Sequence, residues 1–385
     1  MFKILVWDYT GVSAQWLEQF ADLKYIDVVA TMTPQEPVSE FLLKKDAWDW
    51  LLIFEKGARQ FFDATIQLLQ LPSDKVIYAL DMVSWMQHSK AAYTLINPDT
   101  GGYGIFVNLN FMFNRKLNDF ITCTVDGLSY IGTSNDACIM FGMYTRRDNW
   151  AAKEMQRFHE LAKKYYGVDD SAGYFLDLGA NIGTTGIYFL KTFTPNLKLL
   201  AFEPDAENFK LLRANLILND IGDYKVTAVN CGLGDKFDEV TMYRNLYNPG
   251  ANSIFQCEDD MPKETITTIP LDAYLAESKI SAREVKYIWL DTEGFEAQVL
   301  LGAKNLLAEN PAPLFMECNL GAWKKSGYFD ALMDLLSKSY SHFILFAKGK
   351  ETLYPIDDLR TLTPPTENLG QLGDIFLIRS GAYID

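Results

Sequence analysis

The sequence predicts an α/β protein whose larger, C-terminal part is a mostly parallel sheet with helices between its strands. Three observations predict this. From residue 174 onward, β-rich apolar runs alternate in regular order with segments of helical spacing. The first of these runs opens "YFLDLGANIGTTGIYFL" (174–190), which reads as a strand, a glycine-dotted loop and the start of a helix. The last two runs are joined without a helix, by a segment rich in Pro and Gly, so that pair can be antiparallel.

The chain has 385 residues, more than one core usually serves, and it reads as three parts. Residues 1–84 form a small α/β domain. There "FKILVWD", "IDVVATM", "WDWLLIF" and "DKVIYAL" read as strands, and "SAQWLEQFADL" and "ARQFFDATIQLLQL" as helices. Its opening "VWDYTGVSAQWL" resembles a degenerate nucleotide-binding unit. It has one glycine, Gly11, where such a loop wants several, which favours a structural or interface role. Residues 85–165 read as a β-rich connector ending in an amphipathic helix. "AAYTLINPDTGGYGIFVNLNF" holds a Gly-Gly turn and "DFITCTVDGLSYIGTS" an Asp-Gly turn between β-rich runs. In the helix Trp150, Met155, Phe158, Leu161 and Ala162 fall at helical spacing, and Gly167 is a stop. Residues 166–385 carry strands at 174–178, 197–202, 224–230, 285–290, 313–318, 342–347 and 374–379. Helices are read at 183–192, 205–218, 295–308 and 328–338.

A net charge of −15 repels a phosphate backbone and argues against nucleic acid as a partner. The first residues, "MFKILVWDYT", lack a basic start followed by an apolar stretch, and no apolar run approaches a membrane span. The five cysteines are scattered without C-x-x-C spacing, as suits reduced thiols and a cytoplasmic protein. With three histidines, a zinc site or a Ser-His-Asp triad is disfavoured. A small-molecule acceptor is the expected partner, and a homo-oligomer is left open.

In the opening motif the pattern is D-x-G-x-x-x-G, with Asn181 where a dinucleotide binder has its second glycine. Asp177 at the strand's end opposes a diphosphate but suits an ammonium group. S-adenosylmethionine carries an ammonium and a sulfonium and no phosphate. Glu203, twenty residues after Gly183, ends the next strand, where one carboxylate can accept both ribose hydroxyls. Asp205 reads as the cap of the following helix. The backbone of Asn230, Cys231 and Gly232 closes the third strand and is placed to reach an adenine.

"FLDLGANIGTTGIYF", "AFEPDAENF", "NCGLGD", "TIPLDAYL" and "YIWLDTEGFEAQVLLGAKNLL…PAPLFMECN" occur in that order. Together they resemble the FkbM-type S-adenosylmethionine-dependent methyltransferases over about 174–320. The resemblance implies a class I methyltransferase (Rossmann-like) fold: a seven-stranded sheet, six strands parallel and the last antiparallel. It also implies S-adenosyl-L-methionine as cofactor, and O-methylation of a sugar or natural-product hydroxyl. Asp177, Gly179, Ala180, Asn181 and Gly183 fall on the family's cofactor loop and Glu203 on its ribose acid. Asp291, Glu293, Gly294 and Glu296 fall on the block after the fourth strand. A non-catalytic protein of the same fold that binds S-adenosylmethionine or S-adenosylhomocysteine is the alternative.

Methyl transfer from a sulfonium needs the acceptor oxygen in line with methyl and sulfur, and a base for its proton. No histidine lies in these motifs, so the base is an acid, ranked Asp291, then Glu293, then Glu317. Local roles compete. Glu293 can favour the next helix's positive end, with Thr292 as its cap, and Glu317 can hold a buried group. Glu296 is expected to face solvent or to pair locally. No metal is assigned, although Asp291, Glu317 and Asn319 offer oxygens of the kind Mg²⁺ accepts. Gly250, Asn252 and Ser253 form a polar loop that lines the acceptor pocket or simply lies on the surface; Asn319 is a further acceptor contact. Tyr144, Arg146 and Arg147 are candidates to cover the same cleft.

Overall fold

The computed structural model describes residues 2–9, 26–33, 42, 47–48, 50–55, 59–72, 76–78, 111, 118–246, 248–255, 261–365 and 370–383. The chain divides into two compact units, Met1–Asp119 and Phe120–Asp385. The expected connector is therefore split: its second hairpin and its helices belong to the larger unit. "SAQWLEQFADL", Gly11 and the Gly-Gly turn lie outside the described residues.

In the first unit, β1 (Phe2–Asp8), β2 (Ile26–Met32), β3 (Trp50–Phe54) and β4 (Val76–Tyr78) form a parallel sheet in the order β2-β1-β3-β4. Helix α1 (Arg59–Leu68) returns the chain between β3 and β4. Its Phe62 meets the edge of Trp7 with ring centroids 4.8 Å apart. Leu5, Leu51, Ile53 and Ile66 complete that core.

The second unit opens with a hairpin, β5 (Phe120–Val125) and β6 (Leu128–Thr133), turning at Asp126-Gly127 as the sequence predicts. Helices α2 (Ile139–Arg146) and α3 (Ala152–Tyr166) follow, and α3 stops at Gly167 in the left-handed region. Next come β7 (Tyr174–Leu178), α4 (Thr184–Thr192), β8 (Lys198–Phe202), α5 (Ala206–Leu218) and β9 (Val226–Val229). The strands β10 (Gly232–Leu233), β11 (Asp238–Tyr243) and β12 (Lys263–Ile269) make a separate small sheet. The chain continues through α6 (Leu271–Glu277), β13 (Val285–Leu290), α7 (Glu296–Leu301), α8 (Lys304–Glu309) and β14 (Leu314–Glu317). It ends with α9 (Leu320–Ser326), α10 (Phe329–Ser339), β15 (Tyr340–Ala347), β16 (Lys350–Pro355) and β17 (Asp374–Arg379).

The main sheet runs β16-β15-β17-β14-β13-β7-β8-β9. β14, β13, β7, β8 and β9 are mutually parallel, and β17 inserts antiparallel between β14 and β15. β15 therefore points the same way as β14. Seven strands follow the expected pattern of six parallel and one antiparallel. The eighth, β16, is a correction. It pairs antiparallel with β15 through a turn at Lys348 and Gly349, inside the segment whose Pro and Gly content masked it.

The helix expected over 295–308 is also interrupted, at Gly302. A Cβ there would lie 2.0 Å from the carbonyl oxygen of Gly234, so backbone passes backbone at that point. The β5–β6 hairpin is fastened to α5 by two asparagines one helical turn apart. Asn215 accepts from Ile131 N (2.7 Å) and donates to Ile131 O (3.0 Å), while Asn219 does the same with Ser129 (2.9 and 2.7 Å). Their amides mimic a neighbouring strand, because a helical turn and two strand residues have similar rise. Asn215 also donates to Ile182 O, tying the hairpin to the glycine loop. Among the described residues, no helix is long and apolar enough to cross a membrane.

Candidate active site

The site forms beyond the carboxyl ends of β7, β8, β13 and β14, where open α/β sheets place their ligands. The glycine loop folds back under β8: Gly179 N and Ala180 N both donate to Phe202 O, at 3.1 and 2.8 Å. Gly179 has φ +95°, and a Cβ there would lie 1.7 Å from Asp291 O. The loop is thus pressed onto the backbone that leaves β13. Asn181, at φ +48°, takes the left-handed turn that asparagine tolerates, and its N–H donates to Glu203 Oε2 at 2.7 Å. Glu203 Oε1 accepts Asp205 N at 2.9 Å. Each oxygen of this buried carboxylate keeps a further lone pair. Burial pushes Glu203 up to about 8, against the pull of the Asp205 amide.

Two adjoining cavities open here. The smaller, about 70 Å³, has Glu203 on one side and Phe202, Leu233, Ile254 and Phe295 as apolar walls, with Cys231 and Gly232 at its end. The larger, about 500 Å³, is lined by the glycine loop, by α2 and the start of α3, and by Asp291, Glu293, Glu317, Gln371 and Asp374. Gly179, Asn181, Gly250, Asp291 and Glu293 belong to both. The smaller cavity thus offers apolar walls and the Glu203 carboxylate on one flank, with Asp291 and Glu293 where it meets the larger one. Asn181 Oδ1, at the boundary of the two cavities, is buried without a hydrogen-bond partner and is available to a ligand's donor.

The carboxylates of Asp291, Glu293 and Glu317 each place one oxygen within 4.8 Å of the others. Glu317 is held by two amides, Asn319 Nδ2 on Oε2 and Gln371 Nε2 on Oε1. Beneath the trio lies Glu296. Its Oε1 accepts Thr292 N (3.1 Å), Thr292 Oγ1 (3.1 Å) and Gly294 N (3.0 Å), and its Oε2 accepts the Trp323 indole N–H at 2.8 Å. These bonds wrap the chain around one carboxylate and hold Glu293 at φ +51°. Burial first, then Glu296, Asp374 and Asp177, push Asp291 up to about 8. Burial and the neighbouring acids drive Glu293 and Glu317 well above the usual range. Burial and then Glu154 bring Asp374 up to about 7.

The family model for the methyltransferase FkbM domain matches residues 177–342, which line the smaller cavity and one side of the larger. Residues 177–342 form an FkbM methyltransferase domain. Among curated proteins, methyltransferase sdnD of Sordaria araneosa is 36% identical over 83 residues, which span 21% of this chain and 30% of that protein's length. Among solved structures, the methyltransferase FkbM of Methylobacillus flagellatus KT is 13% identical, with TM-score 0.35 over 97% of this chain and 89% of that one. An O-methyltransferase from Bacillus cereus, solved in complex with SAH, is 9% identical, with TM-score 0.34 over 60% of this chain and 81% of that one.

The FkbM domain brings most of the residues singled out in the sequence to these cavities. Gly179, Ala180, Asn181, Glu203, Cys231, Gly232, Asp291, Glu293 and Glu317 line one or both. Gly183 caps α4 at φ +86°, packed under Leu212 and Ile187. Asp205 caps α5 as expected, accepting Glu207 N and Asn208 N, and its other oxygen meets Arg244 at 2.8 Å.

Several roles differ from the sequence reading. Asp177 lines neither cavity: it is fully buried, and its Oδ2 accepts Thr185 Oγ1 at 2.9 Å. It stiffens the loop from below. Asn230 donates to Glu203 O and Pro204 O, buttressing the turn. Asn252 lines the smaller cavity while its Nδ2 donates to Asp205 Oδ2, and Ser253 Oγ donates to Glu293 O at 2.8 Å. Asn319 likewise serves Glu317. Thr292 does not cap α7, which starts after Phe295, and Glu293 turns into the cleft. Glu296, expected to face solvent or to pair locally, is completely buried and bonds locally to Thr292 and Gly294. Of the three connector candidates, Arg146 lines the cleft, while Arg147 stacks on Tyr144 at 5.2 Å. Trp323, Gln371 and Asp374 were missed; they lie far along the chain, in no local pattern.

Proposed function

We propose that the FkbM domain binds S-adenosylmethionine and methylates a hydroxyl of a small polar acceptor, such as a sugar or another natural product. The observation that carries this reading is the position of Asp291 and Glu293 on the wall shared by the nucleoside slot and the acceptor-sized cleft. When bound, S-adenosylmethionine supplies an electrophilic methyl on a sulfonium. Glu203 receives the ribose hydroxyls on its remaining lone pairs, while Asn181 N holds its carboxylate in place. The apolar walls exclude water from the slot.

Asp291 is the base. Its carboxylate accepts the acceptor's proton at the cleft wall, and the Gly179 loop braced on its backbone fixes its position. Glu293 and Glu317, which burial and neighbouring acids raise, ionise only beside a cation and then supply negative field toward it. With a net charge of −15, the chain is proposed to act on a small molecule, not on nucleic acid, and in the cytoplasm. Calorimetry with S-adenosylmethionine, S-adenosylhomocysteine and NAD tests the reading: binding of the first two and not the third is expected. No heat with either adenosyl ligand would overturn it.

A further inference from the structure

The large cleft does not end at the inner trio. Asp374, Glu154 and Lys153 line it and also line a second groove of about 460 Å³ between α3 and the β15–β16 hairpin. The space available to an acceptor is therefore long; in the groove Lys153, Arg157, Lys348 and Lys350 balance Glu154, Glu160, Glu351 and Asp374, whereas the charge of the cleft itself is lopsided. Six carboxylates face the cleft: Asp148, Glu154, Asp291, Glu293, Glu317 and Asp374. Among the described residues none of the six is within ion-pair distance of a Lys or Arg. Among the described residues, Arg146 and Lys153 are the basic ones on its wall.

A second feature points outward from the fold. Glu317 and Asp374 are direct cross-strand partners in the antiparallel β14–β17 pair. Like charges directly opposite each other weaken a sheet, so this pairing has no stabilising use in the folded chain alone. The Asp374 carboxylate lies in the wall of the cleft, where none of the described residues hydrogen-bonds to it. Glu154, in the first turn of α3, adds repulsion there. A cation seated between Asp374 and Glu154 relieves both.

We infer that the acceptor is a polyhydroxylated amine, an amino sugar or aminocyclitol, whose ammonium group sits between Glu154 and Asp374 while its hydroxyl reaches Asp291. This rests on the methyltransferase reading and adds the acceptor's charge to it. A single divalent metal fits the observations less well. It would gather the compact inner trio and leave Asp148, Glu154 and Asp374 uncompensated along the cleft. The acids are strung out over the length of the cleft, as suits a ligand that carries charge away from its reacting hydroxyl.

The test uses the full chain, with and without S-adenosylhomocysteine, and three probes. These are 2-deoxystreptamine, its di-N-acetyl derivative (the same ring hydroxyls without charge) and magnesium chloride. Calorimetry and thermal shift are the readouts. The amine is expected to bind about tenfold or more tightly than the acetylated probe, the scale of one charge-assisted contact. Asp374→Asn and Glu154→Gln should each bring that preference to near unity. Asp374→Asn removes a like-charge pair, so it should fold at least as well as the parent.

Equal binding of the two organic probes overturns the inference. So does stabilisation by magnesium chloride that the amine does not reproduce, which assigns the acids to a metal. An amine preference without S-adenosylhomocysteine binding overturns only the methyl-transfer reading, so the two failures are distinguishable.

Discussion

Four glycines with positive φ form a graded test of how the glycine loop after β7 is built. Gly327 has φ +77° and open space where a Cβ would go, so Gly327→Ala feels only the backbone penalty. That is about 1–2 kcal/mol, partly offset by about 0.4–1 kcal/mol from a less flexible unfolded chain. Gly127, at φ +81° with equal space, should match it. Gly183→Ala adds a contact of 2.5 Å with Leu212 Cδ1, the end of a side chain that can turn aside. Its extra cost should be about 1 kcal/mol, the low end for overpacking.

Gly179→Ala differs in kind. The new methyl would lie 1.7 Å from Asp291 O and 2.8 Å from Asp291 C, and backbone cannot rotate away. The two segments must part by more than 1 Å. The total should reach about 3–5 kcal/mol, from the backbone and overpacking terms together. Because the displaced atoms carry Asp291, the proposed base, turnover should fall about a hundredfold or more, as a 1 Å misplacement does. Urea unfolding of the four variants, with S-adenosylhomocysteine titrations of each, measures this. If Gly179→Ala unfolds and binds like Gly327→Ala, the loop is not braced on Asp291 and the account of the site is wrong.

Other outcomes follow from individual groups. Glu203→Gln should weaken S-adenosylhomocysteine binding by about 1.5–3 kcal/mol, the worth of a hydrogen bond to a charged group, as read by calorimetry. Asp291→Asn should leave that binding nearly intact and abolish most turnover; normal turnover would remove Asp291 as the base. Glu296→Gln places an amide against the Trp323 indole N–H and loses charge-assisted bonds to Thr292 and Gly294. It should lower kcat more than it changes KM, with a melting temperature reduced by several degrees. Finally, Glu203 and Asp291 at about 8 and Asp374 at about 7 are acids raised above their unfolded values. Between roughly pH 4 and 8 the folded apoprotein holds protons that the unfolded chain has released. Its stability should therefore fall as pH rises through that window, while turnover, which needs Asp291 ionised, should rise. Apoprotein stability that climbs from pH 5 to 8 in thermal melts would contradict these assignments.

The parts of the site legible in the sequence are those that neighbours along the chain build. Asp205 caps α5 through N–H groups two and three residues on, and Gly167 ends α3 by its own φ. The glycine loop and Glu203 belong to consecutive βα units, so spacing alone places them together. Of the two fates expected for Glu296, the local bonds are present, while the solvent-facing one, ordinary for a charged residue in a helix's first turn, is not. What reverses it is Trp323, 27 residues away, whose indole N–H needs an acceptor in the core. β16 was hidden because its pairing depends on β15, not on its own mostly exposed side chains.

By itself the sequence determined the alternation of strands and helices, the antiparallel last strand, the glycine loop with an acid at the end of the next strand, and the family resemblance over about 174–320. Each depends on periodicity, turn chemistry or fixed spacing, which act over a few residues. Only the tertiary structure decided which acids face a ligand. It buried Asp177 and Glu296 as braces, turned Asn252, Ser253 and Asn319 into supports, and set Asp374 opposite Glu317. A carboxylate's role depends on how many donors surround it and how much water it keeps, and both are set by segments distant in the chain.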